Sequence, residues 1–353
     1  MKKILIIQTI ISPYRIPVFN LLNNDYDVTV AYSLGKTFNS KTDFKVERLP
    51  FHKISRFYIH KKSLFEFCQN FDVVIGLGNI SWLSVMRLPS KRKRNFKVIF
   101  WGIGVRASYK TNYGEKTIWD KVRFYFMRKS DAVLFYSSDP IKRYLDEGFE
   151  REKLFVANNT VEVLPIQNLE RKNLLFIGTL YQQKKIYVLL ENYLTAYKEN
   201  SKIPQLDIIG DGDEYDNILG WVKENGLANK IFLRGKIFDE KKLSHYFSQA
   251  LACISPGQAG LSVLKSMGYG VPFITSESAI TGGEIFNIEN DASGILYENH
   301  DQLKEIILET VHNKAKYIEM GNRAKEHYHQ YRRPKHMVRG MSEAIEYVLG
   351  NSY

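Results

Sequence analysis

The sequence has no run of eighteen apolar residues, so no segment can cross a bilayer as a single helix. It has two cysteines, Cys68 and Cys253, both in apolar surroundings. With no C-x-x-C pair, a disulfide scaffold and a cysteine zinc site are excluded, and the thiols read as reduced core residues. The eight histidines are scattered, with no H-x3-H spacing to hold a metal. Neither G-x-G-x-x-G nor G-x-x-x-x-G-K-[ST] occurs, which disfavours a dehydrogenase and a P-loop ATPase. There is no short-period repeat and no low-complexity segment. Acid is in deficit. Asp and Glu number 38 against 50 Lys and Arg, a formal net charge of +12. That favours an anionic partner: nucleotide, nucleic acid or lipid headgroups. Basic residues cluster at Lys91, Arg92, Lys93, Arg94 and Lys97, and again at Arg332, Arg333, Lys335 and His336. No helix-turn-helix, RRM or KH signature accompanies them, so a nucleic-acid binder rests on charge alone. The start, Met1-Lys2-Lys3-Ile4-Leu5-Ile6-Ile7, superficially resembles a signal peptide. Gln8 and Thr9 break it and no small-residue cleavage site follows, so a first buried strand and a cytoplasmic protein are expected.

What is present is a globular chain of 353 residues, 44% hydrophobic and 25% charged, about right for two α/β domains. Short apolar runs alternate with helical patterns, which predicts parallel, doubly wound sheets. The segment 163–173 mixes Pro165, Gln167, Asn168 and charges without periodicity and is the expected linker. The alternation then restarts, and two helical patterns, 317–329 and 335–349, close the chain. Two such halves predict a cleft faced by strand-end loops. From the first half these are 10–14, 76–79 and 101–106; from the second, 178–185, 210–213 and 255–260. The stretch 254–275 is the most informative: an apolar strand, a Pro-Gly-Gln-Ala-Gly turn, a helix through Leu261, Leu264 and Met267, then another strand. A glycine-bearing loop ahead of a helix offers free backbone N–H groups and the positive end of the dipole to an anion, or is an ordinary strand–turn–helix joint.

Three motifs in the second half carry a resemblance. Phe176-Ile177-Gly178-Thr179-Leu180 through Lys184-Lys185 is similar to an F-x-G-R-L-x-x-x-K-G loop. Leu206-Asp207-Ile208-Ile209-Gly210-Asp211-Gly212 is similar to an L-x-I-x-G-x-G strand and turn. Gly260-Leu261-Ser262-Val263-Leu264-Lys265-Ser266-Met267-Gly268-Tyr269-Gly270-Val271-Pro272 resembles G-L-x-x-L-E-A-M-A-x-G-x-P, and Gly282-Gly283-Glu284-Ile285 with Gly294-Ile295-Leu296 resembles the tail that follows it. Over about 170–300 the chain thus resembles the retaining GT-B glycosyltransferases, the large family numbered four. The resemblance implies two Rossmann-like doubly wound domains facing a central cleft. Residues 1–165 would bind acceptor, 170–334 would bind the nucleotide-sugar donor, and the helix in 335–353 would cross back to the first domain. It implies transfer of a hexose or N-acetylhexosamine from a UDP- or GDP-linked sugar to a glycan or lipid-linked glycan in surface-polysaccharide assembly. No cofactor and no metal are implied, and Asp211-Gly212-Asp213 sits in the family's G-x-G turn rather than in a metal-holding D-x-D. A place on the inner face of the membrane goes with a lipid-linked acceptor.

The family's E-x7-E pair is missing, with Gly257 and Lys265 in its positions, and Thr179 stands where arginine is usual. Donor contacts must then be made otherwise, or activity is weak; a subgroup with G-L-x-x-x-H/K-S-x-x-Y-G-x-P helices is similar, so loss of the pair need not abolish activity. Lys184 keeps its basic position and becomes the expected catalytic cation. The expected donor contacts are Gly178, Thr179, Lys184, Gly210, Gly257, Gln258, Ala259, Gly260, Leu261, Ser262, Lys265 and Glu284. Glu284 either binds a sugar or ribose hydroxyl or is a solvated loop residue. Tyr14 and Arg15 either position acceptor or form a Pro-flanked structural turn. Trp101 either stacks on a sugar ring or is buried in the core. The pattern 115–129, with Ile118, Trp119, Val122, Tyr125 and Phe126 on one stripe, reads as a core helix with a basic outer face; the alternative docks it on an anionic bilayer. Two other functions fit the fold: a nucleotide-sugar epimerase, against which the missing carboxylates argue, and a non-catalytic nucleotide-sugar-binding module.

Overall fold

A computed structural model describes residues 1–61, 63–106, 113–165 and 169–350. Gln167 and Asn168 of the expected linker, and the last three residues of the expected final segment, lie outside the described residues. The chain forms two units. One contains Met1–Arg106, Gly114–Thr160 and the chain from Arg333 on; the other contains Val161–Arg332.

In the first unit the strands are β1 (Lys3–Gln8), β2 (Asp27–Tyr32), β3 (Lys45–Arg48), β4 (Phe51–Ile54), β5 (Phe57–His60), β6 (Val73–Leu77), β7 (Lys97–Gly102), β8 (Ala132–Phe135) and β9 (Leu154–Val156). Seven of them make a parallel sheet in the order β3-β2-β1-β6-β7-β8-β9, with Ile4 opposite both Val28 and Val73. Strands covered on both faces need apolar residues at successive positions. In β1, Ile4 and Ile6 enter one core while Leu5 and Ile7 enter the other. The helices are α1 (Ile16–Leu22), α2 (Ser63–Cys68), α3 (Leu83–Met86), α4 (Ile118–Met127) and α5 (Ile141–Asp146). The antiparallel hairpin β4–β5 carries no glycine or asparagine turn signal and was not foreseen; Ser55 takes the left-handed position, φ 53°.

Helix α4 faces the opposite way from the sequence reading. Phe124 and Met127 are buried, while Ile118, Trp119, Val122 and Tyr125 are exposed. The cause is Asp120. Its carboxylate accepts the Thr117 N–H at 2.8 Å and pairs with Arg143 at 2.7 Å and Arg123 at 3.0 Å. That polar knot lies on the inner side, and Phe124 packs edge-on against Tyr144 beside it. The apolar stripe is left facing out.

The second unit has β10 (Asn173–Ile177), β11 (Leu206–Ile209), β12 (Ile231–Gly235), β13 (Ala250–Ile254), β14 (Gln258–Ala259), β15 (Phe273–Ser276), β16 (Ile280–Thr281) and β17 (Gly294–Tyr297). A six-stranded parallel sheet runs β12-β11-β10-β13-β15-β17, and β14 pairs with β16. Its helices are α6 (Ile186–Glu199), α7 (Tyr215–Glu224), α8 (Glu240–Gln249), α9 (Leu261–Gly268), α10 (Gln302–His312) and α11 (Lys314–Tyr331). The last helix, α12 (Pro334–Leu349), packs on the first unit: Met337, Met341, Ala344 and Ile345 join the core that holds Val18, Phe19 and Leu22. Tyr26 donates to the Glu346 carboxylate at 2.6 Å on the same face.

Candidate functional site

In the second unit, loops at the carboxyl ends of β10, β11 and β13 lock together. The Gly178 N–H donates to the Ile209 carbonyl at 3.0 Å and Leu180 to Asp211 at 2.9 Å. Gly210 and Asp211 are thereby tied to the loop that carries Lys184. That loop is tied in turn to the one after β13, where the Gly257 N–H donates to the Lys184 carbonyl at 3.1 Å and Tyr181 donates to Gln258 Oε1 at 2.8 Å. The Pro-Gly-Gln-Ala-Gly stretch is therefore not a simple turn: Gln258 and Ala259 pair with Ile280 and Thr281 as a short parallel ladder.

Lys184 is 7% exposed. Its ammonium lies over Gly178, where a Cβ would come within 2.9 Å of Nζ. Among the described residues no carboxylate reaches it. Burial pushes its pKa down to about 8. The neighbouring Cys253 thiol is pushed up to about 12 by its own burial and stays neutral at pH 7. Lys185, by contrast, is exposed and left-handed, φ 50°, which is the physical reason a glycine suits that position. Thr179 is exposed beside them.

Gly260 caps α9 without a side-chain hydrogen bond, and Leu261 and Ser262 open the helix half-buried. A buried, unneutralised ammonium and an uncapped helix N-terminus on loops joined by hydrogen bonds can hold an anion. The missing carboxylate at Gly257 has a steric cause. A Cβ there would lie 2.2 Å from the Gln183 carbonyl oxygen, so backbone fills the space. Lys265 pairs with Glu240 of α8 at 2.6 Å, a partner the sequence reading missed because nothing in the spacing links the two helices. Glu284 is buried rather than solvated, its Oε2 accepting the Gly282 N–H at 3.0 Å.

The first unit corrects two expectations. Trp101 is 1% exposed and has no free face for a sugar; its ring packs edge-on against Phe19 and Tyr136. Arg15 is buried as well. Its guanidinium is enclosed by the rings of Tyr14, Trp101 and Tyr136 at 4.7–4.9 Å, and it donates to Met337 Sδ at 2.9 Å. Both residues serve the core beneath α12, and Tyr14 alone of the three stays half-exposed. Among the described residues no group of three or more His, Cys, Asp or Glu is placed to hold a metal, and no helix is long and apolar enough to cross a membrane.

The overall architecture is shared with solved structures. HepE of Anabaena, in complex with UDP and glucose, aligns with a TM-score of 0.72 at 11% identity, covering 98% of this chain and all of that one. A mutant of S. aureus TarM, in complex with Fondaparinux, alpha-GlcNAc-glycerol and UDP, gives 0.71 at 13% identity, over 99% and 100% of the two chains. The apo lipopolysaccharide outer core galactosyltransferase WaaB gives 0.68 at 18% identity, over 98% and 99%. These likenesses define the fold as GT-B, with two Rossmann-like α/β units. In sequence, residues 171–313 match the family model of glycosyl transferases group 1. An uncharacterised glycosyltransferase of Methanocaldococcus jannaschii is 26% identical over 214 residues, 58% of each chain. The poly(glycerol-phosphate) alpha-glucosyltransferase of Bacillus subtilis is 23% identical over 224 residues, 60% of this chain and 32% of its own length. The matched stretches thus span a third to rather over half of these two relatives. The fold is thus GT-B, and the sequence matches of its second unit are to glycosyltransferases.

Proposed function

We propose that the chain is a retaining glycosyltransferase of the family numbered four. It moves a hexose or N-acetylhexosamine from a UDP- or GDP-linked sugar to a glycan or lipid-linked glycan in cell-surface polysaccharide assembly. The second unit binds the donor, and the first, with Tyr14, binds the acceptor. The observation that carries this reading is Lys184: a buried ammonium that no carboxylate among the described residues reaches, on a loop tied to the one that opens α9. The donor pyrophosphate lies against Lys184 and the N–H groups of Leu261 and Ser262. As the sugar–phosphate bond breaks, negative charge grows on the leaving oxygen, and the fixed cation stabilises it more than it stabilised the ground state. The acceptor oxygen attacks from the same face, and the leaving phosphate takes its proton. Glu284 orients a hydroxyl of the donor. No metal takes part.

The test is a panel of labelled nucleotide sugars, run with and without chelator, on wild type, Lys184→Ala and Lys185→Ala. Lys184→Ala should lower kcat about a hundred- to a thousand-fold, the cost of losing one well-placed donor to developing charge. Lys185→Ala should change it little. Near-wild-type turnover by Lys184→Ala would remove the donor-site assignment, and loss of turnover in chelator would remove metal independence. A second reading, a binding module without turnover, draws on the backbone that fills the carboxylate's place at Gly257. It predicts donor binding with no product, and an epimerase predicts an altered donor sugar.

A further inference from the structure

We propose that the outer face of α4 and the tip of the β4–β5 hairpin form a docking surface for an anionic lipid bilayer. The apolar part is large and outward. Ile118 is 76% exposed, Tyr125 54%, Trp119 41% and Val122 38%, and Ile54 at the hairpin tip is 61% exposed. A soluble domain seldom leaves so many large apolar side chains together on one helix face. The hairpin and the helix are one surface. The Arg56 guanidinium lies 3.7 Å above the Trp119 ring, and Phe57 packs edge-on against the same ring.

The charge around this patch is predominantly positive. Lys53, Arg56, Lys116, Lys121, Arg128 and Lys129 are exposed, and the hairpin segment 51–60 contains no acid. The one acid within α4, Asp120, is buried and neutralised by Arg123 and Arg143. Glu115 just before the helix and Glu147 opposite Arg128 are the acids nearest in sequence or contact. Lys129 donates to the Tyr125 hydroxyl at 2.7 Å and sits over its ring, so the cation stands at the rim of the apolar face. Apolar side chains flanked by aromatic rings and ringed by lysine and arginine match the boundary between acyl chains and anionic headgroups. A second copy of this chain would bring the same positive charge against itself, and a nucleic acid would leave the apolar side chains in water. The surface gives the lipid-linked acceptor of the proposed function a place to be met; it rests on that reading for its purpose.

The experiment is co-sedimentation of the full chain with vesicles of phosphatidylcholine, with and without phosphatidylglycerol. Binding is expected to the anionic vesicles and should be released by molar salt, where screening shortens to about 3 Å. Ile118→Asp with Trp119→Ala should weaken it about tenfold or more. Lys121→Glu with Lys129→Glu should do the same. Lys91→Glu with Arg92→Glu, an equal charge change on the separate basic cluster, should cost clearly less. The proposal is overturned by equal binding to neutral vesicles, by no binding to anionic ones, or by α4 variants that bind like wild type. It is also overturned by a lipid-free dimer that Ile118→Asp dissolves, or by tighter retention on single-stranded nucleic acid than on vesicles. Nucleotide-sugar turnover on the same preparations keeps the two readings apart. Vesicle binding without turnover fails the proposed function alone, and turnover without vesicle binding fails this surface alone.

Discussion

Lys184 is held in the fold at a cost that its proposed work explains. Its pKa near 8 lies below the ordinary lysine value of 10.5, so between those values the unfolded chain binds more protons than the folded one. Stability from this group therefore rises with pH from about 8 towards 10.5. Below 8 the whole penalty is present, on the order of 3 kcal/mol. Lys184→Met should melt higher than wild type at pH 7, and the gap should close as the pH approaches 10.5. The same substitution should weaken UDP binding. In the wild type, UDP binding at pH 9 should take up a proton, seen as buffer-dependent heat in titration calorimetry and absent in Lys184→Met. A variant that melts lower at pH 7 would contradict the buried, unpaired ammonium. The position of Lys184 was legible because it recurs at a fixed place in a loop motif. Its burial was not, and neither was the reason for Gly257. A close approach between Gln183 and Gly257 depends on how two distant loops fold onto each other, which no local pattern records. For Arg15 and Trp101 the sequence left access and burial both open, because the rings and α12 that cover them come from distant segments.

At the scale of elements, strands buried on both faces read clearly, because successive apolar residues admit few alternatives. Short elements did not. The hairpin β4–β5 lacks turn chemistry, and β14 and β16 have two residues each, too few to show a period. Helix α4 had the right period and the wrong facing, since an aromatic stripe was weighed above the single acid that fixes the helix. The α8–α9 tie offers a direct check. Glu240 and Lys265 form a half-exposed pair, with side chains 44% and 17% exposed, so its worth should be about 1 kcal/mol or less. Lys265→Glu should lower the urea midpoint more than Lys265→Met, because it sets two carboxylates together. Adding Glu240→Lys should recover most of the loss. Failure of the exchange to recover stability would mean that Lys265 matters through its stem rather than its charge.

At the scale of the whole molecule, the main core cluster of the second unit runs from Leu174 to Met320, and Val161, Ala324 and Tyr328, also buried, belong to the same unit. A fragment spanning Val161–Arg332 should therefore melt cooperatively by circular dichroism. A fragment ending at Thr160 should not, because it lacks Met337, Met341, Ala344 and Ile345, which complete one of the two cores of the first unit. Cooperative melting of that shorter fragment would show that α12 is an accessory. The two sheets and the restart of alternation between them were readable from the strand pattern. The return of α12 to the first unit was expected from the resemblance; the helix pattern itself carries no sign of which sheet it will cover.

The return of α12 to the first unit also sets a timetable. A chain emerging from the ribosome ordinarily closes its N-terminal domain first. Here the first unit must wait, with the faces of α1 and β6–β9 that α12 covers left open, until α12 is released. The later unit can be finished before the earlier one. During that interval the nascent first unit leaves incomplete the core that holds Val18 and Phe19, and chaperone demand should fall on that unit.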